Sequence, residues 1–327
     1  MAELRYNPLL QDWTMVASNR QHRPNMPKDY CPFCAGSGRV PDDYDVLAYD
    51  NDFPALSPHP PTPDVEGSSL YPVKESYGKC EVILYSSKHD EALSSLSVTH
   101  IRKVIDLWTK RFSILKEDPR HQYIFIFENR GREVGVTMPH PHGQIYAYPY
   151  VPQKLRVELQ ASQEHFDHTG ECLICAIREE EVKAKVRILE ETEHFVSFIP
   201  FFTDYPFGLF IVSKAHRHYL TSFSEEEKND FAHVLKRVTS AMDELYGKEF
   251  PYMMAFHQAP VNTPFCEEGY HFHVEFYPPL REENRIKFLA SSETGAWAPC
   301  NPVAVEDSIG LLREALQRID QRGGDVL

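Results

Sequence analysis

The feature that most constrains this chain is an internal repeat headed by two C-x-x-C pairs, Cys31/Cys34 and Cys172/Cys175. Behind the first come "CEVILYSSKHDEALSSLS", a helix-like "VTHIRKVIDLWTKRFSIL", "YIFIFENRG" and "HPHGQIYAYPYVP". Behind the second come "PFGLFIVSKAHRHYLTSFS", "EEEKNDFAHVLKRVTSAMDELYG", "YMMAFHQAP" and "YHFHVEFYPP". A chain that repeats an ordered series of elements is expected to fold as two copies of one small unit. The repeat also pairs histidines: His89 with His216, His140 with His271, and His142 with His273. The first two pairs lie 51 residues apart in one copy and 55 in the other, a difference that a loop insertion accounts for.

Each copy reads as strands, one long helix, then two more strands. Val98, Ile101, Ile105, Trp108, Phe112 and Leu115 recur every three or four residues and form one apolar helix face. Phe231, Val234, Leu235, Val238 and Leu245 do the same in the second copy, where Ser224 and Glu227 read as a capping box that starts the helix. "CEVILY", "YIFIF", "GLFIV" and "HVEFY" are short β-rich runs bounded by turn residues. The fold class expected is therefore α+β, a tandem pair of antiparallel sheets with packed helices. The halves are expected at residues 1–155 and 156–327.

Length and charge narrow the function. The 327 residues suffice for a large core, and 42% apolar with 12% aromatic content indicates an ordered globular chain. With 48 acidic against 34 basic residues, the net charge of −14 argues against nucleic-acid polymers and anionic membrane surfaces as partners. No basic, apolar leader opens the sequence and no stretch is long enough to span a membrane, so a cytoplasmic protein is expected. In that setting the two C-x-x-C pairs favour metal thiolates over disulfides.

Two thiolates from a tight turn and two imidazoles from elsewhere make a closed tetrahedral set, the arrangement of structural zinc. The first copy offers Cys31, Cys34, His89 and His140; the second offers Cys172, Cys175, His216 and His271. Rival ligands stand near the second set: Glu158, His218, His257 and His273. We prefer the cysteine set, because Cys172 and Cys175 otherwise lack a role, and read Glu158 as a charged helix residue. Zinc is expected in both sites, although iron competes for such ligands in the second. With His140 committed to a metal, His142 becomes the candidate for chemistry. Neutral imidazole is a good nucleophile near neutral pH and forms a reactive phosphoramidate.

At "FENRG" (127–131), "HPHGQI" (140–145), "RYNPLLQDW" (5–13), "NDFPAL" (51–56) and "FYPP" (276–279) the chain resembles the galactose-1-phosphate uridylyltransferase family of the histidine triad superfamily. The resemblance runs to about residue 293. It implies two histidine-triad-like halves and an exchange in which UDP-glucose and galactose 1-phosphate give glucose 1-phosphate and UDP-galactose. It also implies that His142 attacks the α-phosphorus and becomes uridylylated, with ping-pong kinetics. Gln144 stands where the superfamily's hydrolases carry a third triad histidine, and by resemblance donates to the phosphate together with Thr137 and Asn129. Asn51, Asp52 and Phe53 resemble the family's uridine and ribose contacts. Arg20 and Arg23 resemble a pair that reaches phosphate from the partner subunit of a homodimer. Lys287 and Glu293 match hexose-end positions, beyond which the match fades. The close alternative is an ADP-glucose phosphorylase or related adenylyltransferase of the same superfamily; the alternative of another class is a zinc-stabilised binding module without chemistry. In the second copy Glu275 replaces Gln144, and an anion there repels phosphate, so only the first copy is expected to be catalytic.

Overall fold

The computed structural model describes residues 2–22 and 30–323. An N-terminal hairpin, β1 (Ala2–Asn7) and β2 (Asp12–Ala17), is followed by β3 (Leu47–Asp50), β4 (Val73–Glu75) and β5 (Lys79–Leu84). Helix α1 (Val98–Lys116), β6 (Tyr123–Arg130) and β7 (His142–Tyr148) complete the first copy. The second contains α2 (Gln153–Thr169), α3 (Leu173–Ala184), β8 (Ile188–Glu191), β9 (Phe195–Phe198), β10 (Phe210–Ser213), α4 (Glu225–Tyr246), β11 (Tyr252–His257) and β12 (His273–Tyr277). A short hairpin, β13 (Leu280–Glu282) and β14 (Arg285–Ile286), and helices α5 (Ser291–Ala296) and α6 (Val305–Gln321) follow.

Nine strands join in one sheet in the order β3-β5-β7-β6-β11-β12-β10-β9-β8, and every pairing is antiparallel. The repeat is thus laid out about a central seam. β6 meets its counterpart β11 with Arg130 opposite Tyr252 and Phe127 opposite Ala255. Pairing like with like in antiparallel sense relates the two copies by an approximate two-fold rotation.

The long helices form where the apolar spacing puts them, and both lie on one face of the sheet. Ile101, Ile105, Trp108, Phe112, Phe231, Val234, Leu235 and Val238 share a single core with sheet residues of both copies. Trp108 of the first copy stands edge-on to Phe256 of the second, with ring centroids 4.9 Å apart. Helix starts are fixed locally. Ser97 Oγ accepts the His100 N–H at 3.2 Å, and the expected capping box holds at α4: the Glu227 N–H donates to Ser224 Oγ at 3.1 Å while the Ser224 N–H donates to Glu227 Oε2 at 2.7 Å.

The opposite face carries the polar residues of β7. There a small sheet in the order β2-β1-β4 packs Leu4 and Trp13 against Tyr146 and Tyr148, leaving the start of β7 uncovered. Helix α6 has no counterpart in the repeat. It lays Ile309, Leu312 and Leu316 into the main core beside α4, and its outer edge is tied by Arg318 to Glu244 at 3.0 Å.

Candidate active site and metal centres

Three groups of metal-ligating side chains are assembled among the described residues. In the first, Cys31, Cys34, His89 and His140 bring their ligand atoms within 4.8 Å of one another. The C-x-x-C turn is seated on β5 by Phe33, which packs with Val82 and Leu84. Cys34 Sγ lies 3.2 Å from His89 Nδ1 and 3.6 Å from His140 Nδ1, and Cys31 Sγ lies 3.7 Å from His140 Nδ1. Ligand atoms about 2.0–2.3 Å from a tetrahedral zinc stand roughly 3.6 Å apart, so the four donors fit that ion. The outer hydrogen bonds fit as well. His140 Nε2 donates to the Ser86 carbonyl at 2.8 Å, which leaves the Nδ1 lone pair facing the thiols. Burial holds His140 neutral, lowering it to about 4. Burial and the neighbouring Cys31 push the Cys34 thiol up to about 12, so a metal must displace its proton.

The second group, Cys172, Cys175, His216 and His271, repeats this plan on β9 and β10, where Cys172 packs with Val196, Phe198 and Val212. Cys175 Sγ lies 3.1 Å from His271 Nδ1 and 3.6 Å from His216 Nδ1. His271 Nε2 meets Ser213 Oγ at 2.7 Å, the counterpart of the His140–Ser86 contact. Hydrogen bonds from Cys175, His216 and His271 favour the Cys172 thiolate, and that thiolate in turn drives the Cys175 thiol upward. Of the rivals named from the sequence, His218 touches this group from outside, its Nε2 lying 3.2 Å from His216 Nε2.

The other rivals form a third group: Glu158, His257 and His273 with Glu275. Glu158 is therefore more than a charged helix residue. It projects from α2 onto the sheet, where His257 Nδ1 lies 2.7 Å from its Oε2. Glu275 receives Lys154 Nζ at 2.7 Å and His273 Nε2 at 3.2 Å. Burial alone would push Glu275 up; His257, His273 and Lys154 instead hold it well below the usual carboxylate range. His257 and His273 are cross-strand partners on β11 and β12, which is why residues 16 apart in sequence meet. The sequence named Glu158, His257 and His273 as rival ligands but did not supply Glu275 as their fourth companion.

His142 opens β7, opposite Leu84 of β5. Its Nδ1 is 2.7 Å from the His140 carbonyl, a distance at which the ring N–H donates to that oxygen. In the neutral ring this bond fixes the tautomer, with the proton on Nδ1 and the lone pair on Nε2. His273 Nδ1 makes the same bond to the His271 carbonyl at 3.1 Å, so both copies keep this frame. His142 lines a cavity of about 380 Å³ together with Asn129, Arg130, Arg132, Met138 and Pro141. Gln144 follows on the same face of β7, opposite Phe127 of β6, and is buried.

Comparison with known proteins now bears on this geometry. The family described as "Galactose-1-phosphate uridyl transferase, N-terminal domain" matches residues 1–152, and "Galactose-1-phosphate uridyl transferase, C-terminal domain" matches residues 158–293. The chain belongs to the galactose-1-phosphate uridylyltransferase family. The galactose-1-phosphate uridylyltransferase of Thermotoga maritima is 43% identical over 96% of this chain and 98% of its own. That of Haemophilus influenzae is 32% identical, covering 88% of this chain and 87% of its own. A solved structure of a uridylyltransferase superposes with a TM-score of 0.88 at 32% identity, covering 97% of this chain and 99% of that one. An ADP-glucose phosphorylase from Arabidopsis thaliana with bound ADP-glucose superposes with a TM-score of 0.74 at 25% identity, over 96% and 99% of the two chains. The expected α+β fold, a tandem pair of antiparallel sheet halves with packed helices, is the fold observed, and the chain is an enzyme of the transferase class.

The residues that the family resemblance singles out fall in three places. Asn129 shares the His142 cavity. Thr137 lies in the loop before His140, its hydroxyl buried without a hydrogen-bond partner among the described residues. Arg20 Nη1 reaches the Tyr146 hydroxyl at 3.2 Å, two positions along β7 from Gln144. Arg23 lies outside the described residues. Beyond β3, Asn51 Oδ1 accepts the Phe53 N–H at 2.9 Å, while Asp52 is held by Arg39 at 2.8 Å and by the Tyr49 hydroxyl at 3.0 Å. Lys287 and Glu293 are not brought to His142. Glu293 lines a separate cavity of about 760 Å³ with Lys154, Glu158, His257, Tyr277 and Trp297. Buried Lys287 places its Nζ 5.0 Å from the centre of the Tyr205 ring, on the wall of that second cavity.

Proposed function

We propose that this enzyme exchanges a uridylyl group between UDP-glucose and galactose 1-phosphate through a covalent uridylyl-His142. The observation that carries the reading is the Nδ1 hydrogen bond to the His140 carbonyl, which puts the nucleophilic lone pair on Nε2 within "HPHGQ". In the first half-reaction Nε2 attacks the α-phosphorus, and the bond to the departing phosphate oxygen breaks, its electron pair leaving with glucose 1-phosphate. In the second, a phosphate oxygen of galactose 1-phosphate attacks the same phosphorus and the N–P bond breaks. Gln144, Thr137 and Asn129 donate to the phosphoryl oxygens, where positioned donors contribute most. The buried, unpartnered Thr137 hydroxyl supports that role, since such a group costs stability unless a ligand uses it. Asn51, Asp52 and Phe53 hold the uridine.

Zinc in the first two groups would tie each C-x-x-C loop to the sheet as structural metal, because all four ligands come from protein and no position stays open for substrate. Either zinc or iron suits the harder oxygen-and-nitrogen set around Glu158. The separation of Lys287 and Glu293 from His142 supports a homodimer in which the hexose end is met by the partner subunit's Lys287 and the partner subunit's Glu293, with Arg20 at the same boundary. A cytoplasmic setting is supported by seven free cysteines and by the absence, among the described residues, of a helix long and apolar enough to cross a membrane.

The test is intact-protein mass measurement after mixing enzyme with UDP-glucose and no acceptor. One acid-labile uridylyl group is expected, with glucose 1-phosphate released, and none on His142→Asn. Turnover without an adduct would mean direct transfer. ADP-glucose labelling the protein in preference to UDP-glucose would favour the adenylyltransferase reading, which the likeness to the phosphorylase supports.

A further inference from the structure

On the helix side of the sheet, beneath the start of β7, three buried side chains meet: Tyr85, Glu128 and Tyr252. Tyr85 follows directly on β5 and grips the peptides on both sides of His142. Its backbone N–H donates to the Pro141 carbonyl at 3.1 Å. Its hydroxyl fills the space that a side chain at position 143 would need: a Cβ on Gly143 would stand 2.2 Å from Tyr85 Oη and 3.1 Å from its Cζ. The glycine of "HPHGQ" is thus required by a close approach from below.

The hydroxyl faces the Glu128 carboxyl but makes no well-formed hydrogen bond to it. Tyr85 Oη and Glu128 Oε2 are both buried without a hydrogen-bond partner among the described residues, while Glu128 Oε1 accepts from Tyr252 at 3.1 Å. An unsatisfied buried hydroxyl destabilises by roughly 1–3 kcal/mol, so phenylalanine would serve a purely structural position better. We propose that Tyr85 is a positioning residue for uridylyl capture: its hydroxyl, seated against Gly143 and backed by Glu128, fixes the His142–Gly143 peptide and so the reach of His142 Nε2 toward phosphorus. The inference rests on the nucleophilic reading of His142.

The test is the single-turnover rate of adduct formation from UDP-glucose, with melting temperature and metal content measured alongside. Tyr85→Phe is expected to keep or raise the melting temperature, keep the metal and leave the KM for UDP-glucose within about twofold, yet slow capture by about tenfold or more, as sub-ångström misplacement of a nucleophile does. Gly143→Ala is expected to slow capture by about a hundredfold, and the double variant Tyr85→Phe/Gly143→Ala to regain about tenfold of that loss, because removing the hydroxyl relieves the tightest of three contacts on the methyl, leaving the Phe127 carbonyl oxygen at 3.0 Å and the ring carbon at 3.1 Å, which small shifts accommodate. Capture by Tyr85→Phe within twofold of wild type, or a double variant no faster than Gly143→Ala, would overturn the proposal while leaving the nucleophile in place. A wild-type enzyme that forms no adduct would sink both.

Discussion

Glu128, buried beneath the start of β7, is a carboxyl whose ionisation falls in the neutral range. Burial pushes its carboxyl up to about 7, against the opposing pull of Arg130, whose guanidinium is itself committed to Asp243 at 2.7 and 2.9 Å. Tyr85 and Tyr252, the other groups packed on it, are driven far above the usual phenol range by burial and stay protonated. The sign follows from linkage. A carboxyl that titrates near 7 in the fold and near 4.5 in the unfolded chain keeps its proton better when folded, so its ionisation erodes stability as pH rises through that interval. The full effect is at most about 3 kcal/mol above pH 7. Glu128→Gln removes the ionisation, and the melting temperature of the variant should gain on wild type between pH 5 and pH 8. A constant difference across that range would mean that Glu128 titrates normally.

At the level of elements, the two C-x-x-C segments are the parts whose structure depends most on a bound ion. Each is a short loop or helix start packed on the edge half of the sheet by a few apolar side chains. Cys172→Ser should lower metal content by about one ion per chain and loosen the start of α3, measured by elemental analysis and amide exchange; undiminished metal would refute the cysteine assignment. Much of this was legible in the sequence. The spans of α1 and α4, the capping box at Ser224, the pairing of His89 with His216 and the split between His140 and His142 follow from periodicity and repeat alone. What escaped was contact across the sheet. Nothing in the spacing of Glu158, His257 and Glu275 says that α2 aims a carboxylate at a cross-strand histidine pair. Likewise Tyr85 reads as one more apolar strand residue until Gly143 is placed above it. The amphipathic spacing of Ile309, Leu312 and Leu316 was present but lay outside the repeat that organised the reading.

For the whole molecule, the decisive fact is that the two copies share one sheet and one core. Trp108 touches Phe256 across the copies and is fully buried. Trp108→Ala should cost about 3–5 kcal/mol, and the loss should appear as one lowered unfolding transition, followed by calorimetry, because no boundary isolates either copy. Two separate transitions would show that the halves fold independently. The seam between β6 and β11 has a consequence for how such a molecule can be taken apart. Cutting the chain between residues 152 and 158 leaves each piece with a raw, buried-type strand edge, and the nearest match for the exposed β6 is another β6. A first half expressed alone should therefore pair with itself. The seam is in effect a subunit interface that the intervening chain has made permanent and unequal, holding two copies that differ at Gln144 and Glu275 in fixed one-to-one ratio.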